Sequence, residues 1–228
     1  MASGIFCKEP LARPAAVDLE SAARFFGLRG PDEAGRALLA AQAPAVLAAA
    51  APRLAAAEFA AGENPALFSG RDIAAHLAGC GGYVLLGVTL GPGADTAIRR
   101  AGVGNVAAGA AADALAGALA EQAAEAAEAL LRSRFSARGL FLTGRYSPGY
   151  GDWPLSAQRL LAQLLELPKT IGVTVSDTFL MLPRKSITAV LGVADHPVSG
   201  HLAGCGTCAL RGNCAFRKRG ETCFHAGK

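Results

Sequence analysis

Arg145-Tyr-Ser-Pro-Gly-Tyr-Gly-Asp-Trp-Pro-Leu155 gathers two of the chain's three tyrosines and its one tryptophan with two prolines, two glycines, an arginine and an aspartate. Before it, residues 140–144 (Leu-Phe-Leu-Thr-Gly) read as a short buried strand. After it, residues 156–165 carry helical periodicity, with Ser156 placed to cap the helix. A strand therefore runs into a stiff loop that feeds a helix. Pro148 and Pro154 fix φ, the glycines permit close backbone approach, and the rings supply apolar walls. Such a loop suits a small ligand, with Arg145 as a two-pronged clamp for a carboxylate or phosphate. The alternative is a structural turn with its aromatics tucked into the core.

Outward from the loop, the C-terminal side holds three short strand signals. These lie at 171–175, 178–182 and 186–193, separated by Ser176-Asp177 and Pro183-Arg-Lys185. Tight polar turns between short strands favour antiparallel pairing. On the N-terminal side, residues 82–91 (Gly-Tyr-Val-Leu-Leu-Gly-Val-Thr-Leu-Gly) form the clearest strand, and their continuous apolarity predicts cover on both faces. The glycines at 87, 91 and 93 do not form a dinucleotide fingerprint. Residues 95–100 read as a short helix. Asn105 then caps a long one reaching about Arg138, with Glu121, Gln122, Glu125 and Glu128 on its wet face. Gly109 and Gly117 weaken that helix by about 1 kcal/mol each relative to alanine, so close backbone contact is expected there.

Nearer the start, residues 1–16 read as an irregular lead-in and 18–28 as a helix. Residues 32–61 are alanine-rich and helical, broken near Pro44 and Pro52. Asp72 is placed to cap residues 73–79, where His76 and Cys80 lie four apart; that spacing suits a metal or partly buried packing. The expected class is α+β: an antiparallel (mixed) sheet with packed helices, an alanine-rich helical N-terminal part and a Cys-rich C-terminal appendix. We divide the chain into a helical region at 1–66, an α+β domain at 67–199 and a tail at 200–228.

The 228 residues can bury a core without disulfides. No apolar run approaches the ~20 uninterrupted residues of a membrane span, and the N-terminus lacks a secretory h-region, so a cytoplasmic protein is expected. The net charge of +4 and a small late basic cluster do not argue nucleic acid. Six cysteines sit at 7, 80, 205, 208, 214 and 223. Without a signal peptide this favours metal or redox chemistry over a disulfide framework. Cys205, Cys208, Cys214 and Cys223 together offer four thiolates, enough for zinc or an iron–sulfur cluster, or else they are reduced cysteines in a loose tail.

Arg145-x-x-Pro-Gly-Tyr150, with Pro154 shortly after, resembles the S-adenosylmethionine-binding loop of the activation domain of cobalamin-dependent methionine synthase. The fuller run through Leu155 is similar to small stand-alone bacterial relatives of that domain. The likeness extends to Ser176-Asp-Thr-Phe-Leu-Met-Leu-Pro183, to Lys185-Ser-Ile-Thr188 and to Cys205-x-x-Cys208.

The resemblance implies that cobalamin trapped as cob(II) is rescued by one-electron reduction and methyl transfer from S-adenosylmethionine. Arg145 would hold the donor's carboxylate, main-chain groups around Ser147 and Gly149 its adenine or ribose, and Tyr150 would line the sulfonium region. The Asp-x-His-x-x-Gly cobalamin fingerprint is absent, since Asp195-His196-Pro197 lacks the spacing. Cobalamin is therefore expected on a partner, a cobalamin-dependent methionine synthase or another corrinoid protein, served by an electron donor. Three departures from the long enzymes stand out: Gly151 in place of a proline, aliphatic Val190-Leu191 in place of an aromatic pair, and no recognisable N-terminal acidic contact. A competing reading is a non-catalytic, metal-stabilised docking module for a corrinoid protein.

Overall fold

The computed structural model describes residues 4–28, 32–200, 212–214 and 218. Five strands form one antiparallel sheet in the order β1-β2-β3-β7-β4: β1 (Gly4–Pro10), β2 (Arg53–Ala60), β3 (Gly82–Thr89), β7 (Ser186–Ala194) and β4 (Phe141–Leu142). A separate two-stranded ladder joins β5 (Thr174–Val175) to β6 (Met181–Leu182).

Because side chains alternate along a strand, the sheet feeds two cores. Leu54, Ala56, Val84, Leu86, Val88, Leu191 and Val193 point to one. There they meet α1 (Leu19–Phe26), α2 (Glu33–Ala49), α4 (Pro92–Gly102) and the 31-residue α5 (Val106–Ser136). Ala55, Ala57, Phe59, Tyr83, Leu85 and Val190 point to the other core. It is closed by α3 (Arg71–His76), α6 (Ala157–Leu164), α7 (Leu167–Thr170) and the aromatic loop through Tyr146 and Trp153. Every residue of β3 is buried, as its apolar run predicts.

The first core is built largely on alanine. Ala111, Ala112, Ala116, Ala118 and Ala127 of α5 are fully buried, which lets α1, α2 and α4 approach its axis closely. At Gly109 a Cβ would lie 2.8 Å from the Cα of Gly102, so the close contact expected there is real. At Gly117 the nearest atom is 3.7 Å away, an ordinary contact. Asn105 caps α5, its Oδ1 accepting from Ala108 N at 3.0 Å.

Three expectations are corrected. Residues 53–60 are not helix but β2, since pairing with β1 and β3 on both sides outweighs alanine's helix preference. Residues 4–10 are not an irregular lead-in but the edge strand β1. Helix α2 runs through Pro44, its packing against α4 and α5 holding it across the lost hydrogen bond. Among the described residues, no helix is long and apolar enough to cross a membrane.

Candidate functional site

The loop leaves the short strand β4 and runs beside the middle of β7, where Tyr146 and Val190 exchange backbone hydrogen bonds of 2.9 and 2.8 Å. Tyr146 is fully buried and its ring packs among His76, Tyr150 and Trp153. Residues 147–153 then coil into a double turn: Tyr150 N donates to Ser147 O, Trp153 N to Tyr150 O, and Gly149 N to Trp153 O. Gly149 has φ +92°, open to glycine at no steric cost. Trp153 is anchored from below, its Nε1 donating to Leu67 O at 2.8 Å.

Asp152 ties this coil to α3. Its carboxylate accepts from Arg71 N at 2.8 Å and Asp72 N at 2.9 Å, satisfying the first donors of a helix that begins on an uncapped glycine, Gly70. Those backbone donors hold the Asp152 carboxyl below its ordinary value. Asp72 answers by accepting from Asp152 N at 3.1 Å. The expectation that Asp72 caps its own helix is therefore corrected: the cap arrives from a distant loop. Ser156 likewise makes no side-chain cap on α6, its backbone already being helical.

Of the four predicted ligand-holding residues, Ser147, Gly149 and Tyr150 lie on this coil and Arg145 two residues before it. Ser147 is half-buried, Gly149 is exposed, and Tyr150 presents a ring that is 46% exposed. Burial and the nearby Glu121 carboxylate push the Tyr150 phenol up, while Arg145 pulls it down. Arg145 turns toward α5, where its Nε donates to Glu128 Oε2 at 2.9 Å. Its two outer nitrogens both face Glu121 Oε2 at a longer 3.4 Å.

Glu121 and Glu128 were expected on a wet helix face. They instead gather round the loop arginine, and Gln122 bonds Asp18 N and Ala16 O. The missed signal was their spacing. Residues 121, 125 and 128 share one face of a helix whose neighbour is the loop that carries Arg145.

Two further groups line the base. Thr143 is fully buried, with its Oγ1 2.9 Å from His76 Nε2 and accepting from Gly192 N at 2.8 Å. His76 is thus engaged by a hydroxyl, and among the described residues no group of three or more His, Cys, Asp or Glu could hold a metal. Of the four late cysteines only Cys214 is described, as a half-buried free thiol; Cys205, Cys208 and Cys223 lie outside the described residues. Val190 and Leu191 face opposite cores, so only Val190 belongs to the core beneath the loop.

A recess of about 480 Å³ lies elsewhere, between α2 and α4, lined by Gln42, Ala45, Ala49, Thr96 and Arg100 among others. Its lining holds no carboxylate, histidine or thiol, and the loop is the better candidate on its chemistry.

No family model matches the chain and no curated protein matches it. Among solved structures, the chain is similar to a crystal structure of the MetH reactivation domain bound to AdoHcy. The two are 15% identical with a TM-score of 0.55, and the match covers 96% of this chain and 87% of that one. The two share a fold over nearly the whole length, which bears out the resemblance read from the loop.

Proposed function

We propose that this chain reactivates a cobalamin-dependent methyltransferase of the methionine-synthase type. It binds S-adenosylmethionine on residues 145–150 and presents the methyl group to reduced cobalamin carried by a partner protein. The observation that carries this reading is the chain-length fold likeness to a reactivation domain crystallised with AdoHcy.

The residues present fit such a ligand. Glu128 takes the inner Nε of Arg145, and the outer pair of nitrogens has only a 3.4 Å contact, an edge that a carboxylate can take. The open coil at Ser147 and Gly149 offers main-chain groups to adenine or ribose, and the Tyr150 ring offers a π-face to a sulfonium. The donor supplies the methyl cation equivalent that reduced cobalt, holding the electron pair, accepts, leaving S-adenosylhomocysteine. The chain's own contribution is therefore binding and aim, which requires no nucleophile and no general base at the loop. The prior one-electron reduction requires an electron donor in addition to this chain.

Titration calorimetry with S-adenosylmethionine tests the reading. Saturable heat and a raised Tm are expected, followed by methylcobalamin formation on a cob(II)-loaded partner only with this chain, donor and reductant together. A second reading, a docking module that grips a corrinoid protein without using the donor, draws support from the two glutamates already facing Arg145. No heat and no thermal shift at millimolar donor would favour it. We also propose that Cys205, Cys208, Cys214 and Cys223 hold a zinc ion or an iron–sulfur cluster, a reading that rests on their spacing alone.

A further inference from the structure

Behind Arg145 stands a second arginine that the proposed chemistry does not use. Arg132 lies one turn beyond Glu128 on α5 and grips its Oε1 through Nε at 2.9 Å and a terminal nitrogen at 2.7 Å. It also donates to Leu142 O at 2.6 Å and Thr143 O at 2.7 Å. Arg132 therefore joins the helix, the last residue of β4 and the start of the loop. Glu128 is held between two guanidiniums, one oxygen each. The Glu128 and Arg145 side chains are 19% and 18% exposed, so their contact is largely shielded from solvent and is not an ordinary surface pair.

We propose that Glu128, braced by Arg132, is the positioning residue that sets Arg145 for ligands bearing a carboxylate. This rests on the reading of Arg145 given above. Two physical consequences follow from sharing one carboxylate between two arginines. The inner nitrogen of Arg145 is fixed, so its planar fork can present only its outer edge. Arg132 offsets the charge of Glu128, so the longer contact of Glu121, 3.4 Å from the outer nitrogens and 44% exposed, is the one that a ligand carboxylate would displace. A lone Arg145–Glu128 pair would be neutral and would attract an anionic ligand far less. Discrimination for the amino-acid end of the donor thus originates on α5, not on the loop.

The test compares two probes on the whole chain: S-adenosylhomocysteine and its decarboxylated analogue, which keeps the amine and loses the carboxylate. Glu128→Gln preserves shape but places an amide NH2 against a guanidinium; Arg132→Lys preserves charge but cannot hold both carbonyls and Glu128 together. Each variant is expected to bind S-adenosylhomocysteine about tenfold more weakly, the lower end of what losing an orienting partner does at a ligand-holding group. Affinity for the decarboxylated analogue should stay within twofold. A parallel loss on both probes would mean Glu128 is merely structural, and no loss on either would mean Arg145 orients itself; either overturns the proposal. Should one variant fail to fold, the other decides. Wild-type chain that binds both probes equally well would overturn this inference while leaving donor binding intact. Wild-type chain that binds neither would overturn the functional reading itself.

Discussion

Asp152 and Asp72 hold each other across the fold: the Asp152 carboxylate accepts from Asp72 N at 2.9 Å, and the Asp72 carboxylate accepts from Asp152 N at 3.1 Å. The exchange fastens the aromatic loop to the first turn of α3, so loop geometry and helix initiation are one event.

Asp152→Ala should therefore destabilise the fold, as losing a helix cap does. Its folded-state pKa is depressed, so its contribution is present above the ordinary aspartate value of 3.8 and is lost as pH falls below it. Acid titration of Tm, wild type against Asp152→Asn, should show a steeper fall in the wild type. Superimposable curves would contradict the cap.

Tyr146 places its hydroxyl in the core without a hydrogen bond, and burial, with Asp72 and Asp152 nearby, pushes its pKa up to about 12. Tyr146→Phe should leave stability at neutral pH unchanged or raise it by up to about 1 kcal/mol. The raised pKa keeps wild-type stability intact below pH 10 and removes it as pH climbs toward 12. Alkaline denaturation should accordingly shift upward in the phenylalanine variant, which a pH series of denaturant midpoints will show.

Gly151 has φ +53°, and a Cβ there would meet the Asp72 carboxylate and lie 2.5 Å from the Tyr146 hydroxyl. Gly151→Ala combines backbone strain with a clash and should cost about 1–3 kcal/mol. The same substitution at Gly139, where φ is +72° but nothing lies within 4 Å, isolates the strain. Equal losses at the two sites would mean the contact beneath Gly151 contributes nothing.

Arg145→Ala should weaken S-adenosylmethionine by roughly 2–4 kcal/mol, the range for truncating one side of a desolvated charge pair. Stability should fall by only about 1 kcal/mol, because Glu128 keeps Arg132 as a partner and is not left uncompensated. Arg145→Lys should recover little affinity, since an ammonium cannot bridge two acceptors in a plane. Calorimetry and thermal melts on the same two variants separate the ligand role from the scaffold role. Affinity surviving Arg145→Ala within twofold would remove Arg145 from the site.

Elemental analysis and a visible spectrum of anaerobically purified protein should find metal on the late cysteines. Absorbance near 400 nm identifies iron–sulfur, a colourless zinc-bearing sample a structural site; folded, metal-free protein excludes both.

The loop, β3, β7 and α5 were legible because each carries a local signature: aromatic and proline density, an unbroken apolar run, a capping asparagine. β2 was not. Leu54-Ala-Ala-Ala-Glu-Phe59 is good helix sequence, and only two neighbouring strands make it extended. The candidate residues Arg145, Ser147, Gly149 and Tyr150 all come from one short loop, whereas the acids that hold Arg145 lie on a helix many residues upstream. Charges there look like any solvated face until the fold brings the arginine to them.

The pairing of Leu85 with Val190 has a consequence during synthesis. Strand β3, apolar on both faces, leaves the ribosome with β2 already available on one side, but its other neighbour is encoded about a hundred residues later. At ordinary elongation rates that leaves an unpaired hydrophobic edge exposed for roughly 5–20 s, long enough for nascent chains on one message to find each other. The alanine helix α5, which emerges in that interval and packs on β3 and β7, covers one face of the strand but leaves that edge unpaired until β7 arrives. Synthesis of this protein should therefore call on a chaperone at the tunnel exit, and slowing translation after residue 90 should lower the soluble yield.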